Sequence, residues 1–219
     1  LEIYAQPTEG WEIEEKADHT PLTLADRRAN DIIMRHLRAT GHPILSEEGP
    51  LPDYEERKNW PGLWVVDPLD GTSEFLKRND EFTVNIAWVQ DGRPMAGVIY
   101  LPVTHTLYFG MEGMGAFKVG DVTVAKSEEE LIRAAQRLPI EKQHEGFVVV
   151  ASRSHLSGET EAYIDLLRKD HPDLSLISAG SSMKLCRVAE GSAYVYPRFA
   201  PTMEWDTAAG DAIVRAAGG

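Results

Sequence analysis

The 219-residue sequence predicts a mixed protein in two parts, an α+β half built on antiparallel sheet and a following α/β half. Three observations predict it. From Leu63 to Val124, short β-branched and aromatic runs are separated by Gly-containing turns such as Asp91-Gly92, the pattern of an antiparallel meander. From Phe147 onward, short apolar runs alternate with stretches of helical periodicity, the pattern of strands and helices in turn. Between the two lies an acidic segment, Ser127 to Gln136, that reads as a helix. The boundary therefore falls within residues 126–145, and the halves are expected at 1–130 and 131–219.

The opening through Leu22 is polar and broken by Pro7, Gly10 and Pro21, so it reads as extended chain or loop. Thr23 or Thr20 caps a helix from Leu24 to Ala39, where Ala25, Ala29, Ile32, Ile33, His36 and Leu37 recur at helical spacing. Gly41 and Pro43 end it, and a short strand, Pro43–Leu45, leads into Ser46-Glu47-Glu48-Gly49. Leu63–Val66 reads as a buried strand stopped by Asp-Pro and Asp-Gly. Strands follow at Phe82–Val89, Pro94–Tyr100, Thr106–Gly110 and Ala116–Val124. In the second half the order is strand Phe147–Ala151, helix Gly158–Arg168, strand Leu174–Ser178, helix Ser182–Glu190, strand Ala193–Tyr196 and a last helix from Asp206.

Composition narrows the function. A net charge of −13 argues against a nucleic-acid polymer as partner, because phosphate tracking needs clustered Lys and Arg. A small phosphorylated ligand held by cations or a few local bases is compatible with it. Cys186 is the sole cysteine, which excludes an internal disulfide and fits a reducing cytoplasm, with peripheral association to the inner membrane left open. No apolar run is long enough to span a bilayer, and no secretory leader is visible at the start. The chain opens at Leu1 rather than Met and closes on Gly218-Gly219, so trimmed ends are expected.

The chemistry concentrates in Asp67-Pro68-Leu69-Asp70-Gly71-Thr72. Two carboxylates three residues apart converge if the chain turns tightly, and Pro68 and Gly71 are the residues that permit it. The plainer reading is a polar turn in which Asp70 caps a short helix. Glu47 and Glu48 after a strand, and Asp206 before the last helix, supply further acids. Were these to meet, each pair ~5 Å apart would repel by about 3 kcal/mol at an effective dielectric near 20, so cations would be needed to hold them ionised. Oxygen ligands without His or Cys favour Mg²⁺ or Mn²⁺ over zinc. Spacing alone does not show that they meet.

The segments Leu45-Ser46-Glu47-Glu48, Trp64-Val65-Val66-Asp67-Pro68-Leu69-Asp70-Gly71-Thr72 and Trp205-Asp206-Thr207-Ala208-Ala209-Gly210 resemble, in order, the three metal motifs of the inositol monophosphatase superfamily. The resemblance runs from about Lys16 to the end. It implies a layered α/β/α/β/α sandwich of the sugar-phosphatase type. It also implies two or three Mg²⁺ ions on Glu47, Asp67, Asp70, Asp206 and the Leu69 carbonyl, with Li⁺ inhibitory and Glu48 left out. Thr72 would orient the attacking water, paired with Asp26 of Thr23-Leu24-Ala25-Asp26, and Glu47 would help deprotonate it. Without the resemblance Asp26 reads as a first-turn acid favourable to the helix dipole. Family members usually extend past both ends of this chain and are monomers or homodimers.

Within the superfamily, several segments resemble the CysQ-type 3′(2′),5′-bisphosphate nucleotidases. They are Lys16-Ala17-Asp18 followed by Pro21-Leu22-Thr23, Glu74-Phe75 with Lys77-Arg78-Asn79 and Glu81-Phe82-Thr83-Val84-Asn85-Ile86-Ala87, Ser152-Arg153-Ser154-His155, Gly180-Ser181-Ser182-Met183-Lys184-Leu185-Cys186 and Tyr196-Pro197-Arg198-Phe199. The implied reaction is hydrolysis of 3′-phosphoadenosine 5′-phosphate to AMP and phosphate, with the sulfated precursor as a further substrate. The alternative is an inositol or other sugar phosphatase. A silent nucleotide sensor would lack a metal ligand or the Thr–Asp pair, and all are present. Gly71, Thr72, His155, Ser181, Lys184, Arg198 and Asp206 are the expected substrate contacts. Lys184 and Arg198 would neutralise a second phosphate, Arg bidentately, although alone they read as surface bases. Gly180-Ser181-Ser182 precedes a predicted helix and offers N–H and hydroxyl groups to an anion, or Ser182 simply caps that helix. Phe199 and Trp205 either stack on a base or pack, with packing preferred for Trp205.

Overall fold

The computed structural model describes residues 1–16, 20–123, 127–140, 146–153 and 157–219. The opening segment carries a single 3₁₀ turn at Thr8–Gly10 and a two-residue ladder between β1 (Glu14–Glu15) and β2 (Pro21–Leu22). Thr23 caps α1 (Leu24–Leu37), accepting from the Ala25 N–H, while Asp26 returns a bond to the Thr23 N–H. A 3₁₀ turn at Arg38–Thr40 and the left-handed Gly41 finish the helix.

The central sheet has seven strands in sequence order: β3 (Ile44–Ser46), β4 (Gly62–Asp70), β5 (Thr83–Gln90), β6 (Arg93–Leu101), β7 (Thr106–Met111), β8 (Gly115–Val119) and β9 (Gln136–Leu138). Two short helices interrupt it, α2 (Tyr54–Arg57) before β4 and α3 (Thr72–Lys77) after it. α4 (Glu128–Ala134) precedes β9. β3 runs parallel to β4 and the rest form the antiparallel meander that the turns predicted. β9 was missed. The acidic helix ends at Ala134, and Gln136–Leu138 has no strand-like alternation of its own; pairing with β8 makes it a strand.

The second half contributes β10 (Val148–Ser152), α5 (Gly158–Asp170), β11 (Ser175–Ala179), α6 (Met183–Ala189) and α7 (Glu204–Ala216). β10 and β11 form a parallel pair. The strand expected at Ala193–Tyr196 reduces to one bridge, Val195 to Val149, because Pro197 supplies no N–H to extend it.

Layers follow from which faces are apolar. Val65, Ala87, Val89, Ile99 and Tyr108 turn to Trp205, Ala208, Ala209 and Ile213 of α7, whereas Val66, on the other face of β4, lies toward α1. α6 sits between α7 and the small sheet, packing Met183 and Val188 on Val148 and Val150. α5 covers the opposite face through Ile164 and Leu167 on Val149 and Ala151. The order is therefore α1, seven-stranded sheet, α6–α7, two-stranded sheet, α5, the sandwich anticipated from sequence. Small residues make the middle layer possible: a Cβ on Gly97 would lie 2.2 Å from the Ala209 carbonyl oxygen, so only glycine lets α7 settle on β6. β9 and α7, both beyond residue 130, complete the first sheet and its core.

Candidate active site

β4 does not stop at Val66. It continues to Asp70, with a register shift in which Asp67 pairs with Asn85 and Asp70 with Thr83, leaving one extra residue on β4. Pro68 explains the break, since it brings no N–H to the ladder. The acids thus sit on a bulged strand end rather than in a free turn. Gly71, at φ 91°, is the N-cap of α3, so Asp70 does not cap that helix. A Cβ on Gly71 would lie 3.1 Å from the Glu81 carbonyl and 3.2 Å from the Ser181 Cβ, so the turn takes glycine on both counts.

The bulge and the α6–α7 layer bring acids together across the chain. One carboxylate oxygen each from Asp67, Asp70 and Asp206 lie within 4.8 Å of one another. Asp67 is buried, and burial, with Asp70, Glu47 and Asp206 around it, pushes its carboxyl well above the usual carboxylate range. Asp206 occupies the third position of α7 and accepts from the Met203 N–H at 2.9 Å and the Thr202 hydroxyl at 2.7 Å. Asp26 holds the matching position in α1. The oxygen donors, the absence of His or Cys among them and the close approach of three carboxylates all fit a hard divalent cation.

Partners not predicted from sequence orient this trio. Asp70 Oδ2 accepts from Ser182 Oγ at 2.7 Å and Asn85 Nδ2 at 3.2 Å. Burial raises the Asp70 carboxyl; Lys184, Ser182 and Asn85 pull against it. Thr83 and Asn85 share the buried face of β5 with Ala87 and Val89, and two polar residues on an apolar face were the available signal. Ser182 makes no side-chain cap to α6, contrary to one expectation, because its hydroxyl is turned to Asp70.

Thr72 Oγ1 donates to Asp26 Oδ1 at 3.1 Å, with the Leu69 carbonyl 3.3 Å away. Asp26 Oδ2 holds the Thr23 N–H at 2.8 Å and the Thr23 hydroxyl, so one buried acid both caps α1 and meets Thr72. Burial raises the Asp26 carboxyl, against the bonds from Thr23 and Thr72.

Glu47 lines the same cleft but lies outside the close trio; its Oε1 takes an ion pair from Lys16 at 2.8 Å, and Glu48 takes another at 2.5 Å. Burial works to lower Lys16, and the two glutamates outweigh it, pushing the ammonium up to about 12. The sequence alone gives Lys16 no role beyond its place in a matching segment.

The cleft, of about 260 Å³, is lined by Ser181, Lys184, Tyr196 and Arg198 as well as by the acids. Lys184 is buried, its ammonium held by the Ser181 carbonyl and 5.5 Å from the Tyr196 ring centre. Burial lowers its pKa, Arg198 adds to that, and Asp70, Glu74 and Glu81 oppose it. Arg198 donates to Tyr196 Oη at 3.2 Å and to the Pro201 carbonyl at 2.9 Å. Ser181 Oγ and Arg198 Nε are buried polar atoms with no hydrogen-bond partner among the described residues. The Gly180 N–H is not available to an anion, since it donates to Glu81 Oε2 at 2.8 Å. α6 has only seven residues, which weakens any helix-terminus contribution. Trp205 is buried in the main core, as preferred, and Phe199 is exposed against Tyr163. His155, with Ala17 and Asp18, lies outside the described residues.

Residues 3–219 match the sequence model of the inositol monophosphatase family. The chain belongs to that family. Relatives named 3′(2′),5′-bisphosphate nucleotidase CysQ, from Shigella flexneri and Escherichia coli K12, are 44% and 43% identical to this family member; each alignment covers all of it and 82% of the relative. The crystal structure of CysQ from Bacteroides thetaiotaomicron, described as a bacterial member of the inositol monophosphatase family, superposes with a TM-score of 0.90. It is 54% identical, covering 100% of this chain and 80% of that one. No helix among the described residues is long and apolar enough to cross a membrane.

Proposed function

We propose that this chain is a Mg²⁺-dependent 3′(2′),5′-bisphosphate nucleotidase that converts 3′-phosphoadenosine 5′-phosphate to AMP and phosphate, and accepts the sulfated precursor. The observation that carries the reading is the composition of one cleft. The acidic trio, Lys184, Arg198 and two unpartnered polar atoms, Ser181 Oγ and Arg198 Nε, belong to residues that line it together. A ligand with two phosphates answers both sets of residues: one phosphate needs cations among the acids, the other needs the bases. The CysQ names of relatives at 43–44% identity support the same substrate class.

Asp67, Asp70 and Asp206, with Glu47 and the Leu69 carbonyl, would hold the cations. Bound there, two or three Mg²⁺ ions supply charge stabilisation to the phosphoryl oxygens and acidify water. Asp26 fixes the Thr72 hydroxyl hydrogen, which leaves the Thr72 oxygen free to accept from the attacking water and orient it. Glu47 takes part in removing the water proton. The water oxygen bonds to phosphorus, the bond from phosphorus to the ribose oxygen breaks, and that oxygen leaves as a hydroxyl after gaining a proton. Arg198 and Lys184, with Ser181 Oγ, hold the phosphate that is not cleaved. Residues 1–130 thus bring most cation ligands, and residues 131–219 bring the anion-binding bases and Asp206. Mn²⁺ would substitute for Mg²⁺ and Li⁺ would inhibit.

A phosphate-release assay with Mg²⁺ tests this directly. Faster turnover of 3′-phosphoadenosine 5′-phosphate than of inositol 1-phosphate is expected; the reverse order would overturn the substrate assignment.

A further inference from the structure

The turn that carries Ser181 is held by a pair of residues from elsewhere in the chain. Glu81, in the loop between α3 and β5, accepts from Arg153 Nε at 2.7 Å and Nη2 at 2.8 Å, a bidentate pair, and its Oε2 also takes the Gly180 N–H. The same Arg153 Nη2 reaches the Ser178 carbonyl on β11 at 3.2 Å. Four pieces of chain therefore converge: the α3–β5 loop, the end of β10, the end of β11 and the Gly180–Ser181 turn. There is no slack. A Cβ on Gly180 would stand 2.9 Å from Glu74 Cγ, Glu81 Cβ and the Glu81 carbonyl. Ser181 itself sits at φ 42°, a left-handed conformation that a non-glycine residue keeps only when its surroundings impose it. On its other side the Ser181 carbonyl holds the Lys184 ammonium.

We infer that Glu81 and Arg153 form a positioning clamp, which fixes the Gly180–Ser181 turn and through it Lys184 in the wall of the cleft. Arg153 has a second effect: it neutralises a carboxylate that would otherwise oppose an incoming phosphate. Neither residue touches the reacting atoms in this assignment, which rests on the bisphosphonucleotide reading above. The clamp governs the half of the substrate that is not cleaved. Its loss weakens binding of a ligand with two phosphates and leaves hydrolysis of a simple monoester alone.

The test uses Glu81→Ala, Glu81→Gln and Arg153→Ala with two readouts. In hydrogen exchange of the full chain, Glu81→Ala loses protection at the Gly180 amide while the β4 amides keep theirs; Ser182 stays held through its own hydroxyl on Asp70. Glu81→Gln, which retains an acceptor for the Gly180 N–H, falls between it and the wild type. In kinetics, Glu81→Ala and Arg153→Ala raise KM for 3′-phosphoadenosine 5′-phosphate about tenfold with kcat little changed, in keeping with loss of a charge-assisted bond. Both constants for p-nitrophenyl phosphate stay within about twofold, the range of a remote surface change. Unchanged amide protection, or equal losses on both esters, would overturn the clamp. Failure of the wild type to turn over the bisphosphate defeats the substrate reading instead, and the exchange measurement still decides the clamp.

Discussion

Ser182 donates its hydroxyl to Asp70 at 2.7 Å across 112 residues of chain, tying the start of α6 to the end of β4. The bond fixes which way one carboxylate of the acidic trio faces. Such outer partners of metal ligands are worth about 10–100-fold in metal affinity. Ser182→Ala should therefore weaken Mg²⁺ or Mn²⁺ binding by about that factor, read by calorimetry, with the circular dichroism spectrum retained.

Asp70→Asn separates stability from activity. In the metal-free protein burial and the neighbouring Asp206 both disfavour the Asp70 charge. The neutral side chain removes that charge, so metal-free Asp70→Asn should melt at or above the wild-type temperature. Phosphate release should nevertheless fall at least about a hundredfold, because one of the proposed cation ligands has gone. Near-normal turnover by the folded variant would remove Asp70 from the proposed chemistry.

Of the two acceptors within reach of the Thr72 hydroxyl among the described residues, Asp26 Oδ1 is the nearer and the Leu69 carbonyl the farther. Thr72→Ala should lower kcat by about 10²–10⁴, the range for a lost proton-transfer or water-orienting group, with cation binding unaffected. Thr72→Ser keeps the hydroxyl and should recover much of the rate. Asp26→Asn should show a comparable loss of kcat. It should also lower the melting temperature, because Asp26 closes the capping box of α1.

Divalent cations should stabilise the fold. At a free concentration of 100 Kd the linkage is about 2.7 kcal/mol, enough for a rise of several degrees in Tm that EDTA reverses. Asp206→Asn should abolish most of that shift in differential scanning fluorimetry. A wild-type Tm indifferent to Mg²⁺ and EDTA would count against the acids as a cation site.

Glu190 provides a pH signature away from the cleft. It accepts from Tyr108 Oη at 2.8 Å and Lys118 Nζ at 2.7 Å on the large sheet, and from Arg187 and Ser192 at 2.8 Å each. Burial works to raise this carboxyl, but the bonds outweigh it and hold it down at about 2 against an ordinary 4.5. A depressed pKa stabilises the fold above the ordinary value, and that contribution fades as pH falls from about 4.5 toward 2. Glu190→Gln should cost about 1–3 kcal/mol at pH 7 by urea melts, and the gap to wild type should narrow across that acid window.

The antiparallel meander, the later strand–helix alternation and a cap of α1 at Thr23 or Thr20 were legible in the sequence, because neighbours in the chain impose turns, periodicity and capping. Asp26 read there as a first-turn acid, and its part in the capping box comes from the structure. The acids were legible as a pattern, since Asp67, Asp70 and Asp206 stand in recognisable segments, and so was the core role of Trp205. Whether those acids meet was not. That follows from a bulge at Pro68 and from α7 lying on β6 at Gly97, both settled by packing between layers. The same holds for Asn85 and Ser182 on Asp70, Lys16 on Glu47, Glu81 on Gly180, and β9, which has no strand signal until β8 lies beside it. Local sequence specifies a residue's chemistry and the conformation of its own segment. The partner of a buried polar group depends on which layers close around it, and only the folded chain supplies that.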